Sequence, residues 1–237
     1  MTLKILKNKS QISNARQLLG DLGASALEPK LRSFGRRIGL VKGIKLGDNI
    51  KSWDILETVN FIKSNLNKDA SILDIGCYAS EILVSLHQIG YRKLNGADLN
   101  SDVKEMPHQN EIHYEVVNFM ETKFANQSFE AITAISVIEH GFEPERLLAE
   151  VSRLLKPGGY FISSFDYWPN KIDTNSIKYF GMDWLIFSKE DVEKFITLAT
   201  SCGLEPVGAI DYFGEDSPIK CAGKSYTFGW LVLKKIN

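Results

Sequence analysis

The chain has 237 residues, of which 44% are hydrophobic and 24% charged, enough for one large domain with an appendage or for two small domains. No run approaches the roughly 18 apolar residues of a membrane span, and the first ten residues do not lead into the apolar stretch of a secretory signal. Cys77, Cys202 and Cys221 form no CxxC pair. We therefore expect reduced thiols in a cytoplasmic protein and exclude a disulfide or zinc framework.

The net charge of −1 is unevenly distributed along the chain. Residues 1–51 hold 11 Lys and Arg against 3 Asp and Glu, whereas residues 52–237 hold 17 against 26. We divide the chain there into a basic N-terminal extension and a main domain. The extension is either a solvated surface or an acceptor-side cap that contacts an anionic acceptor or a membrane surface. Nucleic acid is not an expected partner, because residues 28–47 contain one aromatic residue among their charges. The sequence does not predict the oligomeric state.

The predicted elements alternate between helix and strand. Residues 1–50 show weak helical periodicity over 12–22 and no clear strand, and an amphipathic helix starts at Ser52. Strands are expected at 71–75, 93–98, 112–117, 129–136, 160–165, 204–210 and 226–235, with helices at 80–89, 143–155 and 188–203. "KPGG" (156–159) predicts a tight turn before the fifth strand, and "SKED" (188–191) a capping box before the last helix.

This order predicts an α/β three-layer sandwich whose central seven-stranded sheet is mostly parallel, with its last strand antiparallel. The N-terminal extension is expected to be mainly helical. Ligands of such sheets bind at the carboxyl ends of the strands, so the residues that follow strands are the candidates for the site.

The first two strands of the main domain end in a pattern that suits a nucleoside. Gly76 turns the chain after strand 71–75 and lets the backbone approach a ligand closely. Asp98 lies 24 residues beyond Asp74, at the end of the next strand, where a carboxylate can accept both ribose hydroxyls. Taken alone, the pair is equally typical of turn or capping residues.

Six segments in order resemble the class I S-adenosylmethionine-dependent methyltransferases. They are "ILDIGC", "GADLN", "VVNFME", "FEAITAISVIEH", "LLAEVSRLLKPGGYFISS" and "FSKEDVEKFITLATSCGLEPVG", spread over residues 52–237. The resemblance implies S-adenosylmethionine as cofactor. It also implies an acceptor bound by the N-terminal segment and by the insertions after strands five and six.

The resemblance assigns cofactor contacts residue by residue. It places Asp74, Gly76 and the backbone of Cys77 along the methionine part of the donor. It places Asp98 on the ribose and Leu99 beside the adenine.

Three further positions complete the implied cofactor site. Asn118 replaces a frequent Asp that meets the adenine amino group, and an amide can keep that contact. Phe119 follows it and is counted with the cofactor-binding residues. Ser136 ends the fourth strand, where the family's backbone meets the methionine amine.

The glycine-rich loop departs from the family pattern. Tyr78 and Ser80 stand at its second and third glycines. Ser80 can cap the following helix, but Tyr78 would be strained if its φ were positive. We expect a rerouted loop whose Tyr78 ring lies over the donor or toward the acceptor cleft. The alternative is a decayed site.

His140, after the fourth strand, is the candidate general base if the acceptor atom is an oxygen. It is equally well interpreted as a structural loop histidine, and Glu139 either orients it or faces solvent. Asp166, after the fifth strand, is a second catalytic candidate. We predict no metal, because Ser136 stands where some ubiquinone-pathway O-methyltransferases have a metal-binding Glu.

Tyr167 and Trp168 are candidate substrate-binding residues, interpreted as exposed aromatics at the acceptor. The alternative for Trp168 is packing on the sheet edge. The sequence thus predicts a methyltransferase acting on a small molecule or glycan intermediate, at a hydroxyl oxygen. Its rivals are a non-catalytic protein of this fold that binds an anionic partner through residues 1–51, and an NAD-dependent oxidoreductase.

Overall fold

The computed structural model describes residues 2–28, 36, 38–41, 43–179 and 181–236. Its helices are α1 (Lys9–Asp21), α2 (Ser52–Asn65), α3 (Ile82–Gln88), α4 (Pro144–Leu154) and α5 (Lys189–Ser201). Its strands are β1 (Leu3–Ile5), β2 (Ser71–Ile75), β3 (Lys93–Asp98), β4 (Ile112–Val116), β5 (Phe129–Ile135), β6 (Leu155–Tyr167), β7 (Lys178–Tyr179), β8 (Met182–Asp183), β9 (Leu204–Pro206), β10 (Ile219–Cys221) and β11 (Lys224–Lys235). Two 3₁₀ helices cover Asn49–Lys51 and Ser101–Glu105.

The central sheet has the order β1-β11-β6-β5-β2-β3-β4. Strands β2 to β6 pair in parallel, and β11 runs antiparallel to β6. The mostly parallel sheet with an antiparallel final strand is therefore confirmed. The sheet order reverses at β2, so the residues that follow β2, β3 and β5 meet at one edge.

Two apolar cores cover the two faces of the sheet. One packs α1, α2 and α3 on the sheet through residues such as Leu19, Val59 and Leu86. The other packs α4 and α5 on the opposite face through residues such as Leu148 and Phe195. Helix–sheet–helix layering follows because strands buried on both faces are almost wholly apolar.

Two predictions about local structure were wrong. Residues 3–5 form an edge strand of the main sheet, pairing with 229–231 of β11, although no strand was expected before Ser52. The segment 156–159 is not a tight turn before the strand but a bulge within β6. Phe129 of β5 pairs with Leu155, whereas Ala131 pairs with Tyr160, so β6 advances five residues where β5 advances two. Gly158 in this bulge has φ +80°.

Two predicted helix starts were correct. Ser188 and Asp191 form the capping box of α5, in which each side chain bonds to the other residue's backbone N–H. Pro144 opens α4, where its missing N–H costs no hydrogen bond. Among the described residues, no helix is long and apolar enough to cross a membrane.

Candidate active site

The turn after β2 requires glycine for packing as well as for conformation. Gly76 has φ +67°, and a Cβ placed on it would lie 2.5 Å from Cγ2 of Val137. Its N–H donates to the carbonyl of Ala97 at 2.8 Å, which ties the turn to the end of β3. This glycine therefore brings the loops after β2, β3 and β5 together.

The loop beyond Gly76 avoids the strain that a tyrosine at position 78 could cause. Tyr78 is not among the residues with positive φ; that conformation falls on Ala79, at φ +59°. The Tyr78 N–H donates to Oδ2 of Asp98 at 2.8 Å. The Ser80 hydroxyl accepts from the N–H of Ile82, the first residue of α3, at 3.3 Å. The loop thus keeps its connection to β3 by a path that accommodates the side chain.

Asp98 lies at the carboxyl end of β3 and holds two backbone amides. Besides the bond from Tyr78, Oδ1 accepts from the N–H of Asn100 at 2.8 Å. Each carboxylate oxygen has a second lone pair, so both can still accept ribose hydroxyls. Leu99 beside it is 56% exposed and offers an open apolar surface. These features fit a ribose and a purine.

Asp74 and Cys77 turn their side chains into the protein. Asp74 is 1% exposed, and Thr133 Oγ1 donates to its Oδ1 at 2.6 Å. Burial raises the pKa of Asp74 to about 7, although hydrogen bonds from Thr133 and Ser80 oppose the shift. The Cys77 sulfur packs against β3, 2.7 Å from where a Cβ on Gly96 would lie, and burial raises the pKa of the thiol. Cys77 can therefore meet a ligand only through its backbone.

Asn118 and Phe119 form the turn after β4. The Asn118 side-chain carbonyl accepts from the N–H of Met120 at 3.0 Å. The side-chain NH₂ group is therefore the part of Asn118 that could donate to an adenine. Phe119 is half-buried against the core on the α4 side. Both lie at the same sheet edge as Asp98, since Asp98 is paired with Val116 at the end of β4.

Ser136 has a left-handed backbone, at φ +55°. Its N–H donates to the carbonyl and hydroxyl oxygens of Ser164 in β6, at 3.0 and 3.2 Å. Its own hydroxyl is buried without a hydrogen-bond partner among the described residues. A buried hydroxyl without a partner beside the Gly76 turn is expected where a polar ligand would supply the missing hydrogen bond.

A second group of polar residues lies next to Ser164. Asp54, Glu139 and Asp166, here called the acidic cluster, are 0%, 1% and 4% exposed. They come from α2, from the loop after β5 and from the end of β6. Lys51 Nζ is 3.8 Å from Oδ1 of Asp166. The Ser164 hydroxyl donates to Asp54 Oδ2 at 2.8 Å, which connects the cluster to Ser136.

Burial shifts the protonation of this cluster. It raises the pKa of Asp54 to about 6, against the attraction of Lys51. Burial, with the charge of Asp166 added, raises the pKa of Glu139 well above its usual range. Burial also lowers the pKa of His140, so that its imidazole is neutral near pH 7. Perturbed groups concentrated at a sheet edge are typical of a functional site.

The structure corrects the predicted acceptor loop. Tyr167 is fully buried, and its hydroxyl donates to the carbonyl of Tyr212 at 2.7 Å, so it is not an exposed substrate-binding residue. Trp168 is half-buried against the core, as in its alternative interpretation, and its N–H donates to the carbonyl of Phe187. Asp166 points inward and accepts from Trp184 Nε1 at 2.7 Å. The inward turn follows because β6 continues through Tyr167, two residues beyond the predicted end.

A cavity of about 630 Å³ opens beside the acidic cluster. Its walls come from Glu139 and Phe142, from the segment 171–176 and from Trp184. His140 forms a backbone bridge with Trp184, and the Leu185 N–H donates to the carbonyl of Glu139 at 2.8 Å. Residues 183–185 thus close one wall of the cavity.

Sequence reasoning missed Lys51 and Asp54 as site residues. Both residues precede β2 in the chain. They reach the site because α2 packs on the sheet, which brings Asp54 to Ser164, 110 residues further along the chain. The sequence feature that could have indicated Asp54 is an acidic residue in the first turn of an amphipathic helix. The structure buries this residue completely. Among the described residues, no group of three His, Cys, Asp or Glu side chains is arranged to hold a metal.

The N-terminal segment lies against the loop after β2. Arg16 of α1 forms an ion pair with Glu81, which is 1% exposed, at 2.5 Å, and the Gly47 N–H donates to the carbonyl of Ala79 at 2.8 Å. Lys4 pairs with Glu57, and Lys7 pairs with Asp211. Part of the basic charge is therefore balanced within the molecule. The expected role of residues 1–51 as an acceptor-side cap stays a prediction.

This fold is the one found in solved structures of S-adenosylmethionine-dependent methyltransferases. Residues 73–163 match a family described as "Methyltransferase domain". That match covers 91 of the 237 residues. S-adenosylmethionine is the cofactor bound in a solved methyltransferase of this fold. Gly76, Asp98 and the orphaned hydroxyl of Ser136 fit that cofactor.

Individual relatives are distant. A ubiquinone biosynthesis O-methyltransferase from Dictyostelium discoideum is 27% identical over 113 residues, 40% of this chain and 35% of the relative. The chain thus spans about a third of that relative's length. Geranyl diphosphate C-methyltransferase from Streptomyces coelicolor, solved with Mg²⁺, geranyl diphosphate and S-adenosylhomocysteine, superposes with a TM-score of 0.58 at 15% identity. That superposition covers 98% of this chain and 100% of the other. The [4+2]-cyclase SpnF gives a TM-score of 0.62 at 14% identity, covering 99% and 98%. The superpositions show a shared fold.

Proposed function

We propose that the protein transfers the methyl group of S-adenosylmethionine to a hydroxyl oxygen of a small molecule or glycan intermediate. The observation that carries this proposal is one sheet edge with two sides. Asp98 and the Gly76 turn lie on one side, and His140 lies on the other, between Glu139 and Gly141, which line the cavity. The donor supplies an electrophilic methyl group, and the chain has to align the acceptor with it.

His140 supports the choice of oxygen as the methylated atom. A hydroxyl loses its proton as it attacks, so a base within reach accelerates the reaction. Because burial lowers the pKa of His140, its imidazole is neutral and can accept that proton. The cavity of about 630 Å³ beside Glu139 is large enough for a small acceptor and sets apolar and polar walls around it.

The test is transfer of labelled methyl from S-adenosylmethionine to a panel of sugars, amino sugars and phenols. With an acceptor in hand, His140→Gln should lower kcat at least a hundredfold while the dissociation constant of S-adenosylhomocysteine stays unchanged. His113→Gln is the matched control, since the side chain of His113 is 62% exposed in β4. Unchanged kcat in His140→Gln would remove His140 from catalysis.

A protein of this fold that binds the donor without transferring methyl is the second candidate. The shared fold with a [4+2]-cyclase favours keeping it, because a fold does not fix an activity. Donor binding combined with no transfer to any class in the panel would support this candidate. Transfer to any of them would exclude it.

A further inference from the structure

Among the described residues, the acidic cluster has more carboxyl groups than neighbouring cations. Three carboxyl groups, Asp54, Glu139 and Asp166, are at least nine-tenths buried. Lys51 is the cation beside them, and its Nζ lies 3.8 Å from Asp166. Buried carboxylates need a counter-charge or must bind a proton.

Three oxygens of the cluster are buried without a hydrogen-bond partner among the described residues. They are Oδ1 of Asp54, Oε2 of Glu139 and Oδ1 of Asp166. Lys51 Nζ lies 3.8 Å from the Asp166 oxygen. The other oxygen of Asp54 accepts from Ser164, and Oδ2 of Asp166 accepts from Trp184 Nε1. A buried acceptor without a donor is costly, so these oxygens call for a donor that enters the site.

Aromatic rings line the same place. Trp184 and Tyr226 are in edge contact at 5.6 Å between ring centroids, and Tyr226 and Phe228 at 6.2 Å. Lys51 Nζ already lies 3.7 Å from the centroid of the Phe228 ring. Carboxylates beside aromatic faces form the environment that an ammonium group prefers, and Lys51 shows that this site accepts one.

We infer that the acceptor carries a protonated amine, which binds the acidic cluster by donating to Asp54 and Glu139. This inference rests on the proposed function and names the substrate class. Placed there, the amine would hold the acceptor's hydroxyl in the cavity beside His140. An acceptor bearing phosphate or carboxylate at that end would be repelled.

The donor carries an ammonium group of its own, the methionine amine. The chain from Ser136 to Ser164 to Asp54 links the two sides, so the experiment has to separate them. The two sources differ in one measurable respect. An acceptor amine should bind when S-adenosylhomocysteine already fills the donor side.

The experiment compares matched amine and alcohol probes, glucosamine with glucose and 2-phenylethylamine with 2-phenylethanol. Binding to the full-length protein is titrated by NMR at pH 7, with and without S-adenosylhomocysteine. In at least one pair the amine should bind at least tenfold more tightly than the alcohol. Asp54→Asn and Glu139→Gln should abolish that difference, and Glu190→Gln, a 74% exposed side chain on α5, should retain it.

Several results would overturn the inference. These are equal binding of amine and alcohol in both pairs, a preference that survives both substitutions, or variants that lose S-adenosylhomocysteine while keeping the amine preference. Stabilisation by Mg²⁺ that needs Asp54 and Glu139 would equally replace the amine with a metal. If both variants fail to fold, the comparison in the unmodified protein decides. Failure of S-adenosylhomocysteine to bind would refute the proposed function, whereas the amine titration without it still tests the cluster.

Discussion

At the scale of single residues, the carboxylate of Asp98 organises the loops of the proposed donor site. It accepts the N–H groups of Tyr78 and Asn100 and so shapes the two loops between which a nucleoside would lie. Tyr78 contributes its backbone amide to this arrangement, without positive φ. Because the backbone of Tyr78 makes this contact, the contact does not require the tyrosine ring.

Tyr78→Gly should therefore leave the affinity for S-adenosylhomocysteine within about tenfold, or about 1.4 kcal/mol. Glycine keeps the N–H that Asp98 accepts and adds only backbone freedom. Isothermal titration calorimetry measures the change. A loss far beyond tenfold would mean that the tyrosine ring itself binds the donor.

Asp54 should make stability depend on pH. Its pKa rises from 3.8 in the unfolded chain to about 6 in the fold because of burial. A raised acid pKa gives stability that is complete below the unfolded value and is lost as pH rises through the folded value. Asp54→Asn removes this loss. The difference in free energy of unfolding, variant minus unmodified protein, should therefore be about 1 kcal/mol more favourable to the variant at pH 8 than at pH 5. Urea unfolding at the two pH values measures it, and a relative stability independent of pH would contradict the assignment.

At the scale of elements, α1 holds the start of α3 through a buried ion pair. Arg16 donates to both carboxylate oxygens of Glu81, which is 1% exposed at the N-terminus of α3. Glu81 also accepts from the N–H of Ala26 at 3.3 Å. The N-terminal segment is thereby fixed to the loop that Asp98 organises.

Arg16→Ala should lower the free energy of unfolding by about 3 kcal/mol, because it leaves the Glu81 charge buried and unpaired. Lys7→Ala is the control; its pair with Asp211 is about a third exposed, so its loss should cost less than about 1 kcal/mol. Adding Glu81→Gln to Arg16→Ala should recover part of the loss. If Arg16→Ala and Lys7→Ala lower the free energy of unfolding equally in denaturant unfolding, the Arg16 pair stabilises the fold no more than a partly exposed pair does.

The elements also show what the sequence could and could not predict. Strands β2 and β5 were predictable because they are largely buried, and such strands are nearly continuous apolar runs. Strand β1 was not, since three residues carry no period and their pairing depends on β11, more than 200 residues away. In the site, residues that directly follow strands could be anticipated. Lys51 and Asp54 could not, because helix packing brings them there. Tyr167 was misjudged because the true end of β6 lies in its pairing with β11.

At the scale of the whole molecule, the basic N-terminal segment is joined to the acidic remainder. Strand β1 completes the sheet beside β11, and Lys4, Lys7, Arg16 and Lys51 pair with carboxylates of the main domain. The sheet order then places the proposed donor site and the acidic cluster at one edge of the sheet. Within the proposed donor site, Asp98 is the side chain on which we expect donor binding to depend most.

The most direct test is equilibrium dialysis of labelled S-adenosylmethionine against the unmodified protein and Asp98→Ala. We predict saturable binding to the unmodified protein and a loss of about 1.5–3 kcal/mol in Asp98→Ala, the range for hydrogen bonds to a charged group. Asp183→Ala, whose side chain is 83% exposed, should bind like the unmodified protein. No binding by the unmodified protein at millimolar donor, or unchanged affinity in a folded Asp98→Ala, would contradict a donor site at Asp98.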